Sequence, residues 1–455
     1  MAVARANFPQ PFPPPVAYDD GIQGNRLPAP TFLFPFSMTR NESSSTVGRR
    51  NFIKDSGLMI AGGAIAGAMA AGQAASANAG EPIRIAFVGC GRRGRALAEA
   101  VLKVGGDSVR LTGLADAFGS QTQAMYRSLK GRFPDAVDPN CIRSEGLRSF
   151  EKIMRSDADL VYLATPPVYR PDHFEAAVQS GKHVFLEKPL AADVAGIGRC
   201  VQLAEKAQRE GLAVHVGFQR RHDPRYREVI DQIRRGAIGT PVFARVFCNV
   251  GSLRRPERVG KQDDLQFQIR HWNHFRWTGG DFLIEQHVSG LDVIRWALDG
   301  NPVLAQGQGG WTGHHAAGSE APTTPSEESA SGDVFDHHSI EFEFADGVHV
   351  LSQCRRVSKA WNHTGEHLHG TEGRADLSAG KIFAKDGSLL WQSEHSAAPA
   401  AATLAQQAAV LQSIRQGEAV SDVAEASQSC LFAMLGQAAT ETGKRVRWDR
   451  LVKDV

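Results

Sequence analysis

Six cysteines are scattered over 455 residues without a single C-x-x-C pair. Cys90, Cys141, Cys200, Cys248, Cys354 and Cys430 therefore imply neither a zinc knuckle nor the dense disulfide framework of a small secreted domain. Charge of one sign is also lacking. The 51 lysines and arginines stand against 49 acids, and a net charge of +2 leaves no electrostatic footprint for nucleic acid. Nor does the apolar run from Gly57 to Gly72, 16 residues long and glycine-rich, reach the ~20 residues of a membrane span. No internal repeat is visible. What remains is the composition of a globular enzyme, 42% hydrophobic and 22% charged, enough to bury the cores of about two domains.

The most informative segment is IRIAFVGCGRRGRALAEAVL, from Ile83 to Leu102. A buried apolar strand runs into Gly89, Gly91 and Gly94, and an amphipathic helix follows. Gly89 allows the tight turn, Gly91 lets backbone N–H groups approach a pyrophosphate, and Gly94 lets the helix pack close to the strand. Arg92 and Arg93 open that helix, whose positive N-terminal end receives the phosphates. The next strand, SVRLTGLAD, ends at Asp116, 25 positions after Gly91 (116 − 91). A carboxylate there accepts hydrogen bonds from ribose hydroxyls and repels a 2′-phosphate, so NAD is favoured over NADP.

Upstream, residues 49–54 read RRNFIK, the apolar run follows, and Ala75-Ser76-Ala77 offers a small-x-small cleavage site. This is the pattern of a twin-arginine export signal, so the translocase is an expected partner and the expected location is periplasmic or otherwise exported. Without cleavage the chain would stay membrane-anchored. That route carries folded proteins, so a dinucleotide captured in the cytoplasm can travel with the chain. The first 37 residues are proline-rich and without apolar periodicity, which predicts no fold. Met38 would give a signal of ordinary length and is the expected translation start.

Strands and amphipathic stretches alternate to about Gly217, as βαβ units do. Strands are expected at 159–167, 183–189 and 212–219, which puts Thr165, Pro166, Glu187 and Lys188 at strand carboxyl ends, where open parallel sheets bind ligands. Beyond Phe218, runs such as PVFARVFCNV and SIEFEFADGVHVLSQCRRV alternate with period two and predict a mostly antiparallel sheet, with helices at 222–236 and 282–298. Thr312 to Asp333 and Ser393 to Thr403 read as surface loops. Leu404 to Thr442 reads as helix, expected to pack back on the first domain. The fold class is α/β: residues 1–80 form a leader, 81–219 a doubly wound Rossmann domain, and 220–455 an α/β domain with a large, mostly antiparallel open sheet.

The segments GCGRRG, ATPPVYRPDHFEAAVQSGKHVFLEKPLA, GFQRRHDPRY, GGDFLIEQHVSGLDVIRWAL, HGTEGRADL and GKRVRW, from about Pro82 to Trp448, resemble the glucose-fructose oxidoreductase and inositol dehydrogenase family, often called Gfo/Idh/MocA. The resemblance implies oxidation or reduction of sugars and cyclitols with a tightly held nicotinamide cofactor, and a homo-oligomer formed through the second sheet. It makes Lys188 the group that hydrogen-bonds the reacting hydroxyl. A partly desolvated lysine beside an oxidised nicotinamide has a lowered pKa, suited to a proton relay. Glu187 would support the cofactor or orient that lysine.

The chain departs from the family in its second catalytic segment, D-x-G-x-H-x-x-D. Aligned on Asp292, Glu285 takes the acid position, His287 the glycine and Ser289 the histidine. On a regular helix starting after Asp281, Glu285 and His287 are roughly 160° apart, so the two line one pocket only if the helix is irregular. His287 is thus either catalytic or a structural histidine beside Ile284, Leu291 and Ile294. A histidine at this position also resembles the NAD-dependent glycosidases of the superfamily, and a non-catalytic sugar-binding protein is the third reading. Arg220, Tyr226, His271, Trp272 and Asn273 are candidate substrate contacts, since polyhydroxylated rings take polar donors and an aromatic face. The histidines at 314/315, 337/338, 363, 367 and 369 lack carboxylate or cysteine partners at ligand spacing, so no metal is expected.

Overall fold

The computed structural model describes residues 80–251, 257–258, 260–311, 332–396 and 398–453. The leader, the Arg49–Arg50 pair, the cleavage site, Met38, His314 and His315 lie outside the described residues.

The first strand, β1 (Ile83–Val88), leads to α1 (Arg92–Gly105), β2 (Val109–Asp116), α2 (Gly119–Arg132), β3 (Val137–Glu145) and α3 (Phe150–Met154). Then come β4 (Leu160–Leu163), α4 (Arg170–Gln179), β5 (His183–Leu186), α5 (Val194–Arg209) and β6 (Val214–Val216). All six strands pair in parallel in the order β3-β2-β1-β4-β5-β6. Helices cover both faces, so β1, β4 and β5 are buried almost throughout and mostly apolar rather than alternating. On one face Tyr162 lies between Phe87 and Phe185, at 4.4 and 5.1 Å between ring centroids. The strand order reverses between β1 and β4, and the cleft opens at their carboxyl ends.

The second domain begins with α6 (Pro224–Arg234), whose Asp223 cap accepts from the Arg225 N–H and whose Pro224 fills the first helical position. After β7 (Pro241–Val250) come α7 (Asp264–Arg270), a π turn over Leu283–His287, and α8 (Val288–Leu298). The sheet continues with β8 (Pro302–Gly310), β9 (His337–Phe344), β10 (His349–Arg356), β11 (His363–Gly370), β12 (Gly373–Asp376), β13 (Lys381–Ala384) and β14 (Leu389–Gln392). With β15 (Val446–Arg447), nine strands among the described residues run in the order β14-β13-β12-β11-β7-β10-β9-β8-β15. Only β7 and β10 pair in parallel there. Alternation along β9 and β10 sends Ile340, Phe342, Val350 and Cys354 inward.

Two long helices close the chain, α9 (Pro399–Gln416) and α10 (Val423–Thr442). The loop expected from Ser393 to Thr403 is therefore corrected: the helix starts at Pro399, because proline suits the first turn and an alanine run propagates it. Helix α9 returns to the first domain, where Val410, Leu411 and Ile414 join the core around Phe87 and Leu97, and the Tyr162 hydroxyl donates to Gln407 at 2.7 Å. Helix α10 lies under the second sheet, with Phe432 edge-on to Phe342 at 4.6 Å. Among the described residues no helix is long and apolar enough to cross a membrane.

Asp292 on α8 is fully buried and takes Arg221 through both oxygens, at 2.8 to 3.1 Å, and the Ser429 hydroxyl of α10 at 2.6 Å. Removing one member of such a buried pair leaves an uncompensated charge. Asp292→Ala is expected to destabilise the protein by about 3–5 kcal/mol, read as a large drop in the thermal unfolding midpoint; an unshifted midpoint would refute it.

Candidate functional site

The glycine loop has the geometry its sequence requires. Gly89 has φ +100° and donates its N–H to the Ala115 carbonyl at 2.8 Å; a Cβ there would lie 2.6 Å from the Ala164 carbonyl carbon. A Cβ on Gly94 would strike the Gly89 oxygen, so the start of α1 is pressed onto the turn. Gly91 differs, since a Cβ there meets no atom within 4 Å. It caps α1 with no side-chain acceptor for the first-turn N–H groups, which face the cleft as an anion site.

That cleft has about 770 Å³ of empty space and is open at its mouth. Gly89, Gly91, Asp116, Thr165 and Pro166 line it, joined by Tyr169, Arg270 and Trp272. Asp116 accepts from the Cys90 N–H at 2.7 Å and the Phe118 N–H at 2.9 Å. Burial raises the pKa of this carboxyl, and those two N–H groups with Arg270 and Arg95 oppose the rise. The Thr165 hydroxyl meets His173 Nδ1 at 3.1 Å, a ring that burial holds neutral by lowering its pKa to about 3. Two shielded polar atoms of the lining, Tyr169 Oη and Arg270 Nε, have no hydrogen-bond partner. Open space at Gly91, an uncapped helix start and unpaired polar groups fit an adenine dinucleotide.

Beside the cleft, Arg93 Nε donates to the buried carboxylate of Glu187 at 2.6 Å, and Glu187 also accepts from the Lys188 N–H at 3.2 Å. Lys188 Nζ donates to the Glu285 main-chain oxygen, while the Glu285 carboxylate accepts from Arg356 at 3.0 Å. Burial lowers the Lys188 pKa, with Glu285 and Glu187 opposing it. Arg356 stacks on Phe282 at 4.0 Å and donates to the Asn273 oxygen at 3.3 Å. Burial also pulls the pKa of Arg170, which donates to the Pro189 carbonyl, down to about 10.

The structure therefore brings Lys188 and Glu285 together but not His287. The π turn makes the helix irregular, yet His287 points inward, 1% exposed, with Nε2 at 2.9 Å from the Ser352 hydroxyl of β10. Burial lowers its pKa to about 3, and the ring belongs to the core between α8 and β10. Ser289 is half-buried, and its main-chain oxygen accepts from Arg220 at 3.2 Å. Arg220 and Tyr226 are spoken for by one buried acid, Glu366: Arg220 pairs with Oε1 and the Tyr226 hydroxyl donates to Oε2 at 2.9 Å. Those contacts hold them to Glu366. Trp272 lines the dinucleotide cleft, His271 Nε2 lies 3.2 Å from the Glu257 oxygen, and Asn273 holds Arg356. Arg92 is exposed at the helix start.

Among the remaining histidines, His338 binds Asp281 at 2.9 Å, and His363 and His367 stack on each other. No group of three or more metal-binding side chains occurs among the described residues. Sequence reasoning missed Arg356, Arg270, Tyr169 and His173. One signal for Arg356 was available: β10 alternation puts it on the inner face, where a cation needs a partner.

A family model described as "Oxidoreductase family, NAD-binding Rossmann fold" (GFO_IDH_MocA) matches residues 83–218, and the GFO/IDH/MocA C-terminal domain matches residues 226–376. Inositol 2-dehydrogenase 3 of Saccharopolyspora erythraea is 34% identical over 151 residues, 33% of this chain and 38% of that protein. Inositol 2-dehydrogenase of Rhizobium meliloti is 29% identical over 296 residues, 64% of this chain and 74% of that protein. Among solved structures, levoglucosan dehydrogenase in complex with NADH and levoglucosan superposes with a TM-score of 0.62 at 17% identity, covering 81% of this chain and 99% of that one.

The two glycines separate fold from ligand. Gly91→Ala is expected to melt like the parent yet bind NAD at least ~10-fold more weakly, measured by calorimetry, whereas Gly89→Ala should lower the melting temperature itself. Equal NAD affinity for Gly91→Ala and the parent would count against the cradle.

Proposed function

Because the chain belongs to the GFO/IDH/MocA oxidoreductase family and its first domain is that family's NAD-binding Rossmann fold, we propose that it is an NAD-dependent dehydrogenase of a sugar or cyclitol in which Lys188 handles the hydroxyl proton. The observation that carries the reading is the position of Lys188, sunk at the carboxyl end of β5 beside the dinucleotide cleft, with Nζ on the Glu285 carbonyl. A bound nicotinamide supplies the hydride acceptor, which leaves the proton of the oxidised hydroxyl to the protein. Lys188 in its neutral form takes that proton on Nζ, and its burial makes the neutral form accessible at lower pH than for an ordinary lysine. Glu285, fixed by Arg356, holds the lysine through its main chain and counters its loss of charge. The substrate class follows the relatives, two inositol dehydrogenases and a levoglucosan dehydrogenase.

Asp116 at the end of β2 supports NAD over NADP. The twin-arginine pattern supports export with the cofactor aboard, and the outward face of the second sheet is the proposed surface for self-association. The glycosidase alternative draws on His287, whose Nε2 meets the Ser352 hydroxyl and whose buried Nδ1 has no hydrogen-bond partner.

Lys188→Met is expected to abolish nicotinamide reduction in a screen of cyclitols and sugars while NAD still binds; unchanged turnover would remove the lysine from the mechanism. For the parent, the oxidation rate should rise with pH along a limb centred below 10.5, the ordinary lysine value. Glu285→Gln removes a charge that raises the Lys188 pKa, so its limb should move to lower pH; a limb that stays or moves up would contradict the assignment. Asp116→Ala should weaken NAD and narrow its preference over NADP, and an unaltered ratio of the two dissociation constants would place that selectivity elsewhere.

A further inference from the structure

The far end of the cleft contains a contact between the domains that the proposed chemistry does not use. Arg270 is the last residue of α7, in the second domain, yet its guanidinium lies 4.0 Å from the ring centroid of Phe118, two residues beyond Asp116 in the first. It lines the same cleft as Gly89, Gly91 and Asp116, and its charge acts on the Asp116 carboxylate. Its Nε is shielded from solvent and has no hydrogen-bond partner. The helix that carries it is held independently: Asp263 caps it by accepting from the Gln266 N–H at 2.7 Å, Trp277 donates to Gln268 at 2.7 Å, and Phe267 packs edge-on to Phe275. Arg270 is thus a pre-placed cation with an unused donor, facing the carboxylate that reads the adenosine ribose.

We infer that Arg270 is the second domain's grip on the adenosine half of the dinucleotide. Its flat guanidinium, backed by Phe118, offers a face to adenine, and its N–H groups meet the ribose and phosphate oxygens. The dinucleotide then bridges both domains and cannot leave without releasing α7, so Arg270 sets its residence time. This rests on the dinucleotide reading of the cleft.

The test uses the mature full chain and ADP-ribose, which has the adenosine half and no nicotinamide. Arg270→Ala is expected to weaken ADP-ribose at least ~10-fold by calorimetry and to speed NADH release, followed by fluorescence on chasing with excess ADP-ribose, by a similar factor. Arg270→Lys keeps the charge without the flat face and should recover only part of both. If the parent binds ADP-ribose and Arg270→Ala binds and releases as the parent does, the grip is refuted and the cleft reading stands. If the parent binds neither ADP-ribose nor NADH, the cleft reading fails and the inference falls with it. Should Arg270→Ala misfold by its melting curve, Phe118→Leu removes the same stack from the other domain; faster NADH release supports the grip, and an unchanged rate overturns it.

Discussion

The Arg93–Glu187 pair makes the site one object. Glu187 is almost fully buried at the end of β5, Arg93 stands at the start of α1, and the 2.6 Å contact ties the helix that faces the cleft to the strand that carries Lys188. Separating a buried carboxylate from its partner is costly, so helix start and lysine loop keep a fixed separation. Gly217 adds to the constraint, since a Cβ there would lie 2.7 Å from the Glu187 carboxylate. Hydride transfer needs donor and acceptor carbons in van der Waals contact, and small misplacements are expensive in rate. A buried ion pair between the glycine loop's helix and the Lys188 loop holds these two parts of the site in register.

What could be read in the chain was local. Gly89 and Gly94 announce their backbone needs within one strand–turn–helix unit, and five of the six parallel strands follow from apolar runs, whereas the edge strand β3, VDPNCIRSE, carries no such run. Lys188 needed the resemblance to known proteins, because nothing in HVFLEKP alone distinguishes a proton relay from a strand-end salt bridge. Arg356 and Glu285 are 71 positions apart, and Arg270 and Phe118 meet only across the two domains. Such pairings depend on how the second sheet docks, which no spacing rule encodes. The π turn at Leu283–His287 is a further case: periodicity assumes a regular helix, and the extra residue in the turn is set by tertiary contacts of Asp281 and His287.

Most charged groups around the site are already satisfied by the protein. Glu366 holds Arg220 and Tyr226, Asp292 holds Arg221, and Asp281 holds His338. These pairs are largely buried, so their worth is geometric more than energetic: they fix how the elements that carry them pack.

The number of bases decides between simple oxidation and oxidation followed by elimination. Oxidising an alcohol requires one proton acceptor, for the hydroxyl, and Lys188 can be that acceptor. Eliminating an aglycone from the resulting ketone also requires removal of a proton from carbon, hence a second base in reach of the ring. The positions in this segment that could supply one are Glu285, His287 and Ser289. His287 is buried, with its pKa lowered to about 3, and is bonded to Ser352, and a serine hydroxyl without an adjacent base has no basicity at neutral pH. The Glu285 carboxylate is engaged by Arg356 at 3.0 Å. Simple oxidation therefore asks the protein for one proton acceptor, the role proposed for Lys188, whereas the elimination reading asks for two.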